Sequence, residues 1–227
     1  MRKNIQKVSI ALLLIPMFLY GFDFTHPSDV VKRMKDAFAK VDSYSASFAI
    51  VSKDPKGTKT SKGMAYFKKH GKIHFAFSQP GGDKIISNGK KMWVYIQSLN
   101  AVGVQNLDYQ KDGKSIYSAT SYTGLINIFN RYHYRFDTPR QPVDTEKGRY
   151  YILALKEKVA SGGFTDMKVY VDAGTYLIHR IEAQSAGGRS LVLELSNINL
   201  STDIPDNHFI FRVEGNIKVV ENPLTNF

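Results

Sequence analysis

Past Asp42 the sequence repeatedly breaks into short runs in which apolar and polar residues alternate, and glycine-rich turns separate the runs. A side-chain period of two is the signature of a strand with one face buried, so the chain must build sheet. Tyr44, Ala46, Phe48 and Ile50 alternate with Ser43, Ser45, Ser47 and Ala49, and Asp54-Pro55-Lys56-Gly57 then supplies turn chemistry. The same alternation predicts strands over 63–69, 72–79, 84–87 and 90–97, and again over 149–156, 164–172, 177–185 and 190–199. Their connections include His70-Gly71, Pro80-Gly81-Gly82, Asn88-Gly89, Ser161-Gly162-Gly163, Ala173-Gly174-Thr175 and Gly187-Gly188. Short links of this kind join antiparallel neighbours.

Two segments keep helical spacing instead. Val30, Val31, Met34, Ala37, Phe38 and Val41 share one side of a helix that Ser28 or Asp29 is placed to cap. Leu125, Ile126, Ile128 and Phe129 do the same over 120–130, and a helix set between strands is expected to cover a sheet. The intervening stretch 108–118 is polar and irregular.

A two-residue turn at Asn88-Gly89 pairs Ser87 with Lys90 and puts Ile85 opposite Met92, so Ile85, Met92 and Val94 share a face while Trp93 and Tyr95 take the other. The same rule at His70-Gly71 sets Met64 and Tyr66 beside Ile73, Phe75 and Phe77. Phe48, Tyr66, Ile73, Phe75, Phe77, Ile85, Met92 and Val94 then load one face with large apolar groups. That face fits two readings, a sheet core filled by its own side chains or an apolar cavity that opens for a ligand. Patterning does not separate them.

The chain begins with Arg2, Lys3 and Lys7 and continues from Val8 to Phe22 without a charge, interrupted by Ser9, Pro16 and Gly21. This is the layout of an export signal, too short for a lasting membrane span, with cleavage expected after Gly21. Residues 22–227 are expected to form a single domain in the periplasm. The chain has no cysteine, so it is expected to hold together without disulfides and to carry no lipidated cysteine. The formal charge is +11, to which the leader contributes three cations. Outside the cytoplasm such a charge points to anionic lipid or acidic protein rather than nucleic acid, or simply to solubility.

Residues that carry chemistry are scattered. No phosphate loop, dinucleotide fingerprint, nucleophile elbow or zinc spacing occurs, and the paired glycines read as hairpin turns. His70 and His74 straddle a hairpin without a third ligand, and Asp83, Asp112, Asp166 and Asp172 fall at turns or strand ends. No metal, cofactor or catalytic residue is assigned.

Three blocks, in order, resemble the periplasmic outer-membrane lipoprotein carrier family, LolA. The first is the opening helix with Val41-Asp42-Ser43-Tyr44-Ser45-Ala46-Ser47-Phe48. The second is Phe77-Ser78-Gln79-Pro80 followed by Ile85-Ile86-Ser87-Asn88-Gly89-Lys90-Lys91-Met92-Trp93-Val94-Tyr95. The third is Asp203-Ile204-Pro205-Asp206-Asn207-His208-Phe209-Ile210-Phe211 with Lys218-Val219-Val220. The resemblance implies a mainly β fold, an unclosed antiparallel β-barrel of about eleven strands covered by short helices that act as a lid. It also implies a monomer that takes acylated lipoproteins from an inner-membrane ABC transporter to the outer membrane or a receptor there, without making or breaking a bond. Tyr44, Phe48, Ile73, Phe75, Phe77 and Ile85 match cavity positions of that family. Leu125, Ile126 and Phe129 belong to the implied lid, and Lys69 stands where enterobacterial carriers use a latching arginine, while Ile73 replaces a phenylalanine. Lysine keeps the charge but lacks the planar fork of donors, so a latch there is expected to be looser. The other readings are another lipid's carrier, an enzyme, or a sensor of the RseB kind. Such a sensor has an extra C-terminal domain, for which the chain looks short.

Overall fold

The computed structural model describes residues 25–107, 122–159 and 163–221. The export signal expected at Met1–Gly21 and the irregular stretch 108–118 therefore lie outside the described residues.

Helix α1 (Pro27–Lys40) buries Val30, Val31, Met34 and Phe38. Its cap is His26 rather than Ser28 or Asp29. Pro27, whose fixed φ suits the first helical position, starts the helix earlier than the apolar spacing suggests. The Asp29 carboxylate then accepts the His26 backbone N–H at 2.9 Å, and the His26 ring accepts from Ser28 N, closing a reciprocal cap.

The strands are β1 (Ser43–Asp54), β2 (Gly57–Lys68), β3 (Lys72–Gln79), β4 (Gly81–Asn88), β5 (Lys91–Ile96) and β6 (Ala101–Asn106). After helix α2 (Tyr122–Arg131) come β7 (Tyr132–Phe136), β8 (Val143–Thr145), β9 (Gly148–Glu157), β10 (Asp166–Asp172), β11 (Ile178–Gln184), β12 (Ser190–Asn199) and β13 (Lys218–Glu221). They form one sheet in the order β13-β6-β5-β4-β3-β2-β1-β12-β11-β10-β9-β7, with β8 paired to β9. The end strands β13 and β7 do not pair, so the barrel is unclosed. Among the described residues there are thirteen strands where about eleven were expected; β8 has only three residues, and β13 has four and runs parallel to β6. Strands β6 and β7 escaped the sequence pattern. So did the first half of β2, whose polar residues 57–60 are ordered by backbone pairing with β1 and bury no face.

Both predicted hairpin registers need correction. At the first, Lys68 pairs with Lys72 across a three-residue loop, with His70 at φ 65° and Gly71 at φ 73°. Two consecutive left-handed residues extend the turn by one, and a one-residue slip moves every side chain to the opposite face. Ala65 and Phe67 therefore join Ile73 and Phe75, while Met64 and Tyr66 lie on the other face with Ala76 and His74. At the second, the Asn88 side chain accepts Lys90 N and Lys91 N, both at 2.9 Å, which places Asn88 at the start of the turn. Ser87 thus pairs with Met92 and Ile85 with Val94. Here each strand slips by one residue, parity survives, and Ile85, Met92 and Val94 still share a face.

The inner face carries both helices and the main core, which runs from Tyr44, Phe48, Phe67 and Phe75 to Leu153, Val169, Ile181 and Leu193. A smaller core lies on the outer face, where Ile86, Val102 and Val104 point. The segment after β12 crosses this side and buries Ile204 and Phe209. Ser43 Oγ donates to Thr202 O, Lys68 Nζ donates to Ile204 O at 2.7 Å, and Asp206 takes Lys72 at 2.6 Å and Lys68 at 3.1 Å.

His208 in that segment packs on Tyr66 and His74, with centroids 4.4 and 4.6 Å apart. Both ring nitrogens of His74 are buried without a hydrogen-bond partner. Burial, then the neighbouring His208 and Lys84, hold the His74 pKa down at about 4. The folded state thus binds this proton less readily than the unfolded chain, so stability is full above the ordinary histidine pKa and falls as pH drops from about 6.5 toward 4. For this partly exposed ring the loss is about 2 kcal/mol. Urea denaturation at neutral pH and near pH 4.5 is expected to show it, and His74→Phe is expected to reduce it.

Candidate functional site

The inner face of β1–β3 holds a continuous set of rings. Tyr44 stacks on Phe67 at 4.4 Å, Phe67 meets Phe75 edge-on at 5.7 Å, and Phe48 touches both Phe75 and Phe77 at 5.0 Å. Phe38 of α1 caps the series from above, 6.2 Å from Tyr44. Ile73, Ile85 and Met92 are buried on the same face, and Phe77 and Val94 are partly buried against it. Of the nine predicted residues the fold brings eight together: Tyr44, Phe48, Ile73, Phe75, Phe77, Ile85, Met92 and Val94. Tyr66 is the exception, displaced by the register slip. Phe67, 1% exposed at the centre of the ring series, was missed for the same reason. The signal that could have found it is His70-Gly71, read as a left-handed pair that lengthens the loop.

At the α1 end the rings leave little space, while Phe48 and Phe77 at the other end also border a larger concavity. The gap between Phe38, Val41, Asp42, Tyr44, Phe67, Lys68 and Lys69 measures about 20 Å³, room for about one water and far too little for an acyl chain. A chain-like ligand therefore enters this region only if helix and rings move apart. In α2, which leads directly into β7, Ile128 and Phe129 are buried and Phe129 meets Tyr134 edge-on at 5.1 Å. The side chains of Leu125 and Ile126 lie outside the described residues. Lys69 sits in the β2–β3 loop beside the α1–β1 junction, where its ammonium lies 3.5 Å from Asp42 and its backbone N–H donates to Asp42 O at 2.9 Å.

The model of the family described as outer membrane lipoprotein carrier protein LolA matches residues 39–212. The chain belongs to the LolA family. It is 26% identical over 191 residues to an outer-membrane lipoprotein carrier protein of Bordetella avium, covering 83% of this chain and 86% of that one. It is 22% identical over 212 residues to a carrier so named from Legionella pneumophila, covering 92% and 98%. Among solved structures, an uncharacterized conserved protein from Thermus thermophilus superposes with a TM-score of 0.57 at 12% identity, over 86% of this chain and 98% of that one, which supports the fold.

This LolA-family chain also has a concavity of about 1280 Å³ bordered largely by outer-face side chains. Small residues, Ser47 and Ala49 of β1 and Ala76 of β3, leave room there beside Met64 and Tyr66. The β8–β9 turn reaches over it, and Lys147 Nζ donates to both Glu194 oxygens at 2.9 and 2.8 Å. Arg180 bridges Glu194 and Glu182, and Tyr170 donates to Glu182 at 3.1 Å. The Lys147 hydrogen bond and the Arg180 charge hold the Glu194 carboxyl below its usual pKa. Each acid in this group has a cationic partner, so the arrangement braces the wall. Among the described residues no three His, Cys, Asp or Glu side chains are grouped to hold a metal ion, and no helix is long and apolar enough to cross a membrane.

Gly63 of β2 lies opposite Phe77 where the β2–β3 ladder shifts register. A Cβ there would stand 2.0 Å from Ala76 O and 2.8 Å from the Phe48 ring. Gly63→Ala is expected to cost about 2 kcal/mol or more through overpacking, read as a lower urea midpoint. Gly188→Ala, in an open turn, is expected to cost about 1 kcal/mol through its left-handed φ alone.

Proposed function

We propose that this protein is exported to the periplasm, where it shields the acyl chains of lipoproteins between the inner and outer membranes. The observation that carries the reading is the ring-lined inner face of an unclosed sheet, covered by two helices rather than by more sheet. Such a cover separates without breaking a strand ladder. Tyr44, Phe48, Phe67, Ile73, Phe75, Phe77, Ile85, Met92 and Val94 form the surface that receives the chains. Helices α1 and α2, with Phe129, form the movable cover. Lys69 steadies the α1–β1 junction through Asp42, a single flexible ammonium in place of a forked arginine latch.

The magnitudes suit transfer rather than storage. Each methylene of an acyl chain contributes ~0.8 kcal/mol on burial, so one long chain supplies roughly 10 kcal/mol. Exposing the four buried side chains of α1 costs about 6–12 kcal/mol at ~1.5–3 kcal/mol each. Near-balance between cargo and cover allows uptake from one membrane and release at the next without bond chemistry. The partners that follow are an inner-membrane ABC transporter as donor, and the outer membrane or a receptor on it as acceptor.

Release of a lipoprotein from inner-membrane vesicles tests the assignment. Val94→Glu, on the partly exposed rim of the inner face, is expected to lower release at least tenfold. Met64→Glu, on the opposite face, is expected to leave it near the wild-type level. Equal release by both variants would overturn the inner-face assignment. Mass spectrometry of the purified protein is expected to show triacylated peptide, and its N-terminus is expected to begin after Gly21.

A further inference from the structure

Strands β1 and β2 are twelve residues each, longer than their neighbours require. The β2–β3 ladder reaches only to Lys62 opposite Gln79, and β12 flanks β1 as far as Lys53 opposite Ser190. Beyond that level β2 has a free edge from Gly57 to Ser61. The hairpin ends as an exposed ribbon that β12 still flanks as far as Lys53 and that is two-stranded only over Asp54–Gly57, with every residue from Lys53 to Thr60 exposed.

Within ten residues this ribbon carries Lys53, Lys56, Lys59 and Lys62 against one acid, Asp54. Asp54 is engaged by the turn, its carboxylate accepting Lys56 N at 2.8 Å and Gly57 N at 3.1 Å. None of the four ammonium groups forms an ion pair with a described residue. The lysines that follow are ion-paired, Lys68 and Lys72 sharing Asp206 and Lys69 facing Asp42. Four ammonium groups without an ion pair among the described residues are thus gathered within ten residues at this tip.

The four charges do not share a face. Lys53 and Lys62 project from the outer face, Lys59 pairs with Ser52 and projects from the inner, and Lys56 sits in the turn. A protein surface would meet one side of such a ribbon. A layer of mobile anionic headgroups surrounds it and satisfies both sides. We infer that the tip of the β1–β2 ribbon is the surface by which this protein docks on an anionic phospholipid bilayer, with the lysines paired to headgroup phosphates. The identity of the membrane rests on the carrier reading above; the charge placement does not.

Co-sedimentation of the purified protein with vesicles tests this directly. Binding is expected to vesicles of phosphatidylcholine mixed with phosphatidylglycerol and not to phosphatidylcholine alone, and to weaken as salt is raised. Each lysine near an anionic surface adds about fivefold to partitioning. The variant Lys53→Gln/Lys56→Gln/Lys59→Gln/Lys62→Gln is therefore expected to bind on the order of several hundredfold more weakly, with an unchanged melting temperature because the four side chains are solvent-exposed. A control with the same loss of charge elsewhere, Lys32→Gln/Lys35→Gln/Lys90→Gln/Lys91→Gln, is expected to lose far less. The inference is overturned if both variants weaken alike, if the ribbon variant binds as well as the wild type, or if the wild type ignores anionic vesicles, which would leave an acidic protein as the ribbon's partner. Uptake of a fluorescent fatty acid in free solution separates the two proposals. Its absence in the wild type would sink the carrier reading and leave the vesicle result standing.

Discussion

An apolar sheet face that is never closed into a barrel has to be covered by something other than strands, and that constraint governs this molecule. The inner face from Tyr44 across to Leu153 is far too apolar to meet water, yet the edge strands β13 and β7 stay apart. Helices α1 and α2 supply the missing wall. Strand ladders bind neighbours through backbone hydrogen bonds along their length, whereas these helices meet the sheet through side-chain packing, which is non-directional and reversible. The same arrangement that completes the core therefore makes part of that core exchangeable for another apolar body.

Strand β1 lies near the centre of the sheet and shows how its two faces came to differ. Inward it places Tyr44, Ala46, Phe48 and Ile50, all buried; outward it places Ser43, Ser45, Ser47 and Ala49. Large residues on one side make the ring-lined surface, and small ones on the other leave the concavity under the β8–β9 turn. At its far end the strand runs out of apolar residues and becomes the lysine ribbon. The C-terminal segment completes the outer side over β3 and β4, anchored by Asp206 between two lysines and by Phe209, which is fully buried. With no cysteine in the chain, packing and these ion pairs do the work that disulfides do in many small exported domains.

Much of this was legible in the sequence because periodicity reports burial. Seven of the eight inner-face residues named from alternation share that face, as does Tyr44, named by resemblance, and both helices stand where their 3.6-residue spacing put them, apart from the cap that Pro27 moved to His26. Strands with no apolar stripe were silent: the first half of β2, and β8. Tyr66 and Phe67 exchanged faces because one extra left-handed residue at His70-Gly71 flips the register, a quantity that pattern alone does not measure.

What the sequence by itself determined is the class of molecule: a mainly antiparallel sheet with two helices, one heavily apolar face and an excess of lysine. These follow from local spacing and from which residues water rejects. Tertiary structure alone decided that the rings beneath α1 pack so closely that a gap of only about 20 Å³ is left there. It also placed His208 against His74, and left the lysines of one hairpin tip without an ion pair among the described residues while Lys68, Lys69 and Lys72 find Asp206 and Asp42. These contacts join residues from about twenty-five positions apart, as in Lys69 with Asp42, to more than a hundred and thirty, as in His74 with His208, and only the folded sheet brings them within reach.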